Sequence, residues 1–328
     1  SNSADALEKA RHEQLVNPDL PGKDLPLKIE IKSDEEAGTI TISDTGIGMS
    51  RDDMVENLGT IAHSGTRQFV EAMKAAQSGD NAQLIGQFGV GFYSAFMVAD
   101  KVTVESKSYK PDVPAASWES SGSGDYTVGP SERSERGTTI TLHLKEDAKD
   151  FAKKWQIKDI IRRFSSFVHF PIELDGEKIN TVQALWARNK TDITDEEYTE
   201  FYKFIANAHD EPRYRLHFSA DAPLAINALL FVPQSNFEKL GFGRMEPGVD
   251  LYCRRVLIQK HSEKLLPEWM RFVRGVVDSD DLPLNISRET MQDSMLVKKL
   301  AKVITGRFIK HLQEESNRDP KADRKSVV

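Results

Sequence analysis

Thr39-Ile-Thr-Ile-Ser-Asp44-Thr-Gly46-Ile-Gly48 is the stretch that decides the fold. Its first five residues alternate polar and apolar side chains, as does Lys28-Ile-Glu-Ile-Lys32 before it. Ser33-Asp-Glu-Glu-Ala-Gly38 between them is turn-like, so the segment reads as a β-hairpin that delivers Asp44 at a strand end. An ionised aspartate only accepts hydrogen bonds. Asp44 can therefore take the exocyclic amino group of adenine, while Gly46 and Gly48 let the backbone curl against the base.

Three more short motifs lie outward from it: Asn2-Ser-Ala-Asp5-Ala6, Gly86-Gln-Phe-Gly89-Val-Gly91 and Gly137-Thr138-Thr139. Glycines spaced as in 86–91 permit positive φ and close backbone approach, and Phe92-Tyr-Ser-Ala-Phe-Met-Val reads as a helix starting directly after them. Amides at such a junction cradle phosphates. Magnesium takes few protein oxygens, so the side-chain amide oxygen of Asn2 can complete its shell between the phosphates, with Asp5 on the same helical face. Alone, D-x-G-x-G is most often a turn and a glycine run most often a flexible loop; the four in this order describe a nucleotide pocket. Nothing matches G-x-x-x-x-G-K-[ST], and the glycine run lacks the acidic residue of a dinucleotide site.

Val102 to Glu105 and Thr138 to Lys145 are further half-buried strands, giving an antiparallel or mixed sheet covered by helices, with Thr138 at a strand start. Gly59 to Asp80, rich in Gly, Ser and Ala around the amphipathic Gln68 to Met73, reads as a lid with Gly59, Gly65 and Gly79 as hinges; an ordinary surface loop is the other reading. His63 could donate to phosphates from that lid, though a lone histidine is more often exposed without a task, and His143 reads as structural. In the second half, Trp155 to Val168 repeats apolar residues at helical spacing, and Leu174-Asp-Gly-Glu177 carries a hairpin signal. Thr194-Asp-Glu-Glu197 is a capping box for a helix bearing Tyr198, Phe201, Ile205 and Ala208. Strands are expected at Leu224 to Val232 and Val249 to Ile258, and a long amphipathic helix over Glu289 to Glu314.

The 328 residues fit about two domains. A formal charge of -7 argues against a phosphate-neutralising nucleic-acid surface. The single cysteine, Cys253, excludes an internal disulfide and a cysteine-based zinc cluster, suits a reducing compartment and reads as a packed strand residue. No apolar run reaches the length of a membrane span and no targeting segment shows at the start. Ser1 to Arg11 reads as helix from its first residue, so the chain is expected to begin inside an element.

The order of the four motifs resembles the ATPase superfamily shared by DNA gyrase, MutL, sensor histidine kinases and the ninety-kilodalton heat-shock chaperones. Asp44 to Met49, Asn57 to Thr66, Ile85 to Phe96 and above all Gly275-Val-Val-Asp-Ser-Asp-Asp-Leu-Pro-Leu-Asn-Ile-Ser-Arg-Glu289 resemble the heat-shock-protein-ninety family over nearly the whole chain. The absence of a long charged insert near Lys145 to Trp155 resembles the bacterial and mitochondrial forms. Asp210 to Phe218 and Asp221 to Leu224 look closest to the mitochondrial paralogue.

The resemblance implies an α+β fold: a two-layer α/β sandwich of the gyrase, chaperone, kinase and MutL type, then an α/β middle domain ending in helices. It places the ATP-binding domain at 1–146, with a lid at about 59–88, a linker at 147–154 and the middle domain at 155–328. It implies ATP or ADP with Mg2+ as ligands. The nucleotide site would comprise Asn2, Asp5, Ala6, Lys9, Asp44, Gly48, Met49, Asn57, Ser64, Gly65, Gly86, Gln87, Phe88, Gly89, Val90, Gly91, Phe92 and Thr138, with Asn2 on Mg2+. Arg288 would be the middle-domain arginine that meets the γ-phosphate, flanked by Asn285 and Gln292.

The family's catalytic glutamate would precede Ser1, which implies slow or no turnover by this chain, and its C-terminal dimerisation domain would follow Val328, so a dimeric parent is expected. Client proteins would be held along the second domain, with Trp186 or the loop of Phe237, Leu240 and Phe242 as contacts; for Trp186 a packed position is the competing reading. The function expected is that of an ATP-dependent chaperone in the mitochondrial matrix or the bacterial cytoplasm. Its competitors are a nucleotide-gated binding module without turnover and a sister ATPase acting on DNA.

Overall fold

The computed structural model describes residues 1–17, 20–59, 91–180, 183–222, 224–234, 238, 244–282 and 295–318. The chain divides into two compact units, Ser1–Thr181 and Val182–Val328. Both combine sheet and helix, as an α+β reading requires.

In the first unit the elements are α1 (Asn2–Val16), β1 (Ile29–Asp34), β2 (Thr39–Asp44), α2 (Arg51–Leu58), β3 (Ala99–Lys107), β4 (Ala116–Ser120), β5 (Tyr126–Pro130), β6 (Gly137–Leu144), α3 (Lys154–Phe164), β7 (Ile172–Leu174) and β8 (Glu177–Lys178). The strands form one mixed sheet in the order β5-β4-β3-β6-β2-β1-β7-β8, with only β1 and β7 parallel. Period-two patterning explains its two faces. Ile29, Ile31, Ile40 and Ile42 pack with Ala4 and Leu7 of α1 and Ile157 and Ile161 of α3. Val102, Val104, Ile140, Leu142 and Trp118 pack with Met54 and Leu58 of α2. The alternate side chains carry hydroxyls on the opposite face: Ser43 pairs with Thr139 at 2.9 Å and Thr41 with Thr141 at 3.4 Å. One layer of helices therefore covers one face of the sheet.

The expected hairpin is β1–β2, in register from Ile29 opposite Asp44 to Asp34 opposite Thr39. The Asp-Gly hairpin is β7–β8, with Asp175 and Gly176 at φ 47° and 84° as its turn requires. The first unit runs on to Thr181, past the boundary expected at 147–154. The physical reason is that α3 and the β7–β8 hairpin bury Ile157, Ile161, Ile172 and Leu174 in the first sheet's core. The segment after the glycine run is a 3-10 helix, Gly91–Met97, whose Phe92 ring meets Trp118 edge-on at 5.5 Å.

The second unit comprises α4 (Asp195–Ala206), β9 (Pro212–Ala220), β10 (Ile226–Pro233), β11 (Gly248–Cys253), β12 (Val256–Gln259), β13 (Arg274–Asp278) and α5 (Met295–Arg318), with sheet order β12-β11-β13-β10-β9. The capping box forms as read: Thr194 accepts from Glu197 N and the Glu197 carboxylate accepts from Thr194 N. Ala228, Leu230, Leu251, Cys253 and Val277 bury one face against Val297, Leu300, Ile304 and Phe308 of α5. On the other face Phe231 meets Tyr202 at 5.4 Å and Phe201 at 6.2 Å, and Trp186 meets Tyr252 at 5.3 Å. The strand expected over Val249 to Ile258 is a hairpin, broken where Arg254 and Arg255 both take positive φ.

Trp186 is fully buried, which removes it as a client contact. Its Nε1 donates to Asp278 Oδ2 at 2.9 Å, the oxygen that also accepts from Arg255 N at 2.9 Å. Burial pushes the Asp278 carboxyl up to about 6. The folded state therefore holds more protons than the unfolded one between the ordinary carboxylate range and about 6, and stability falls as pH rises through that window. Trp186→Phe keeps an aromatic ring, smaller than the indole, and removes the donor; the cavity it leaves costs the same at either pH. Loss of the donor should cost on the order of 1–3 kcal/mol at pH 7.5 and distinctly less at pH 5, where Asp278 is protonated; urea unfolding at the two pH values checks this.

Candidate functional site

Asp44 ends β2 and is buried, directly opposite Thr138 at the start of β6. Its Oδ1 accepts from Gly46 N at 2.9 Å, and its carboxylate also accepts from the Ser3 hydroxyl of α1 and the Thr138 main chain. Burial is the larger influence and pushes the Asp44 carboxyl up to about 6, while these donors and the charge of Arg133 pull the other way.

The turn after Asp44 is clamped between α1 and the end of β3. Ile47 N donates to Ala6 O at 2.9 Å and Tyr109 N to Ile47 O at 3.0 Å. A side chain at Gly46 would lie 2.6 Å from the Ala6 backbone. One at Gly48, which sits at φ +66°, would lie 1.9 Å from Lys107 O. The glycines therefore answer to the protein's own backbone, whatever a base requires of them.

Around this turn α1 presents Asn2, exposed at its first residue, then buried Asp5 and the half-buried Ala6 and Lys9. Burial lowers the Lys9 ammonium, and the carboxylates of Asp5 and Asp53 raise it again. Asp53 belongs to the capping box at the start of α2, whose Asn57 donates Nδ2 to Asp53 O at 2.8 Å. Met49 N donates to Ser106 Oγ at 2.8 Å, and the same hydroxyl contacts Gly137 O and Thr138 Oγ1, each at 2.9 Å. Five separated segments thus meet at one end of the sheet: the start of α1, the turn 44–49, α2, the end of β3 and the start of β6.

A buried carboxylate at a strand end, a half-buried lysine on α1 and two glycines held against backbone are chemistry suited to a hydrogen-bond donor and an anion. Family comparison agrees with that chemistry. Residues 1–148 match the family described as histidine kinase-, DNA gyrase B-, and HSP90-like ATPase, and residues 173–323 match Hsp90 protein. The chain belongs to the Hsp90 family.

Among its relatives, the chaperone protein HtpG of Desulfitobacterium hafniense is 58% identical over 98% of this chain and 52% of its own length. The mitochondrial TNF receptor-associated protein 1 homolog of Dictyostelium discoideum is 46% identical, over 98% of this chain and 45% of its own. The mitochondrial heat shock protein 75 kDa of Rattus norvegicus is 47% identical, over 97% and 45%. The chain thus spans about half the length of these Hsp90 relatives.

Of the expected site residues, Asn2, Asp5, Ala6, Lys9, Asp44, Gly48, Met49, Asn57 and Thr138 lie on the five segments that meet here. Gly91 is exposed, and Phe92 packs into the core beneath β3 and β4. Ser64, Gly65, Gly86, Gln87, Phe88, Gly89 and Val90, the lid beyond Gly59, His63, the Phe237, Leu240 and Phe242 loop, and Arg288, Asn285 and Gln292 lie outside the described residues.

Three residues at the site have no place in the sequence reading: Ser106, Arg133 and Arg136. Ser106 stands at the core-facing position after Val102 and Val104, and a hydroxyl in that register was its signal. The two arginines are signalled only by their nearness to Gly137-Thr138-Thr139.

Gly48→Ala should cost on the order of 3 kcal/mol or more, since it adds both a strained φ and an overlap with Lys107 O; thermal unfolding of the variant beside the parent chain measures it.

Proposed function

We propose that this chain is the nucleotide-binding and client-holding part of an ATP-dependent chaperone. The observation that carries the reading is the buried Asp44 carboxylate, held at a strand end opposite Thr138 in a chain of Hsp90 type. Asp44 takes the adenine amino group, Lys9 faces the phosphate end, and Asn2, exposed on the first turn of α1, offers the single amide oxygen that a magnesium ion would accept from the protein. Bound there, Mg2+ would neutralise phosphate charge. Arg288, Asn285 and Gln292 keep the part in turnover that the family resemblance implies, and closure of the lid over nucleotide gates the cycle.

Relatives bearing the name chaperone favour client proteins over DNA as the second partner, in line with the charge of -7. A homodimeric full-length protein and a client contact at Phe237, Leu240 and Phe242 complete the proposal. Two bacterial relatives at 57–58% identity stand above the mitochondrial ones at 46–47%, and other bacterial ones at 44–45% stand below them, so the bacterial cytoplasm and the mitochondrial matrix are both retained as the place of work.

Calorimetric titration with Mg-ADP tests the site. Saturable binding at pH 7.5 is expected, falling about tenfold at pH 5, where Asp44 is about nine-tenths protonated. Asp44→Asn should abolish that binding. Retained affinity in Asp44→Asn would remove Asp44 from its role.

A further inference from the structure

Three consecutive main-chain carbonyls of the Asp44 turn accept hydrogen bonds from two arginines. Arg136 Nη1 donates to Thr45 O at 2.7 Å and Gly46 O at 3.1 Å, and its Nη2 donates to Gly22 O at 3.1 Å. Arg133 Nη2 donates to Asp44 O at 3.2 Å, and its Nη1 reaches Thr139 Oγ1. Arg136 is buried, with 3% of its surface exposed. Arginine seldom goes under cover without a paired anion. Here its hydrogen bonds go to neutral carbonyls, on two chain segments more than twenty residues apart.

Planarity of the peptide bond makes that pattern consequential, because fixing one C=O fixes the N–H on the other side of the same plane. The plane that offers Thr45 O to Arg136 offers Gly46 N to Asp44 Oδ1 at 2.9 Å. The next plane offers Gly46 O to Arg136 and Ile47 N to Ala6 O at 2.9 Å. One guanidinium thus reaches, through two rigid planes, both the Asp44 carboxylate and helix α1. A lysine has the charge and lacks the planar fork that holds two such carbonyls together.

We propose that Arg136, with Arg133 beside it, is the positioning residue of the nucleotide site, acting through the two peptide planes after Asp44 to fix the carboxylate that reads the base. The proposal rests on the assignment of Asp44 to base recognition. It accounts for a buried cation that neither the hydrophobic core nor the phosphate end uses. The groups facing Asp44 are Ser3 from α1, the Gly46 amide from its own turn, Thr138 from β6, and Arg133 from the loop before β6, with Arg136 within electrostatic reach.

The test compares the unaltered chain with Arg136→Lys and Arg133→Gln. It uses Mg-ADP affinity between pH 5 and 8, and hydrogen exchange of the Gly46 and Ile47 amides without nucleotide. Arg136→Lys should melt as a folded protein, lose about tenfold or more in affinity, and exchange faster at Gly46 and Ile47. Arg133→Gln should shift the pH midpoint of binding upward from about 6, since it withdraws a charge that favours the Asp44 carboxylate. A role confined to stability would lower the melting temperature and leave both the pH profile and the Gly46 exchange in place, which would overturn the proposal. Wild-type affinity in Arg136→Lys would overturn it equally. Absence of binding by the unaltered chain would instead overturn the Asp44 assignment itself.

Discussion

A carboxylate taken out of water at the end of β2 sets the terms for everything around it. Asp44 is buried and its carboxyl is pushed up to about 6, which marks incomplete compensation of its desolvation. What compensation exists comes from fixed donors: the Gly46 amide, the Ser3 hydroxyl and the Thr138 main chain. Each sits on a different segment, so the carboxylate is tolerable only while α1, the 44–49 turn and the start of β6 remain together. Glycine at 46 and 48 is the price of that closeness, since any side chain would strike Ala6 or Lys107. The 44–49 turn is thus shaped by the fold's own packing.

The second unit uses the same device with different partners. Asp278 ends β13, is buried with its carboxyl at about 6, and takes donors from Trp186 and from the main chain of Arg255. Those donors come from a 3-10 helix and a β-turn far apart in sequence, which locks Leu185–Ala187 and the β11–β12 turn to one strand end. The indole that looked like a surface contact is therefore a structural donor. Its ring is walled in by Phe201 and Tyr252, and its carbonyl meets His217 Nε2 at 3.2 Å.

The elements that were legible in the sequence are those whose signal is local. Alternation over 28–32 and 39–43, the Asp175-Gly176 turn, the Thr194 capping box and the helical stripe containing Leu300, Ile304 and Phe308 each depend on residues within one element, and each formed. What escaped depends on who packs against whom. The β4 and β5 strands escaped because Ala116 to Ser120 and Tyr126 to Pro130 are short and carry few β-branched residues; their pairing is supplied by β3. The β11–β12 break escaped because Arg254 and Arg255 are poor advertisements for positive φ. The parallel pairing of β7 with β1 escaped because it joins residues more than 140 apart in the chain, a contact with no local trace.

The same distinction separates the half of the site that sequence could name from the half it could not. Asp44 and Thr138 carry chemistry in their own side chains, and their motifs announce it. Arg136 acts on carbonyls, which every residue possesses, so no spacing of residue types records its targets. A buried guanidinium bonded to neutral oxygens still has a physical signature: its desolvation must be offset by several well-placed acceptors, and here the Asp44 turn, held in one conformation, supplies two of them and Gly22 O the third. Rigidity in the Asp44 turn and burial of Arg136 are therefore two views of one arrangement. The turn gives the arginine its acceptors, and the arginine keeps the turn's amides aimed at the carboxylate they stabilise.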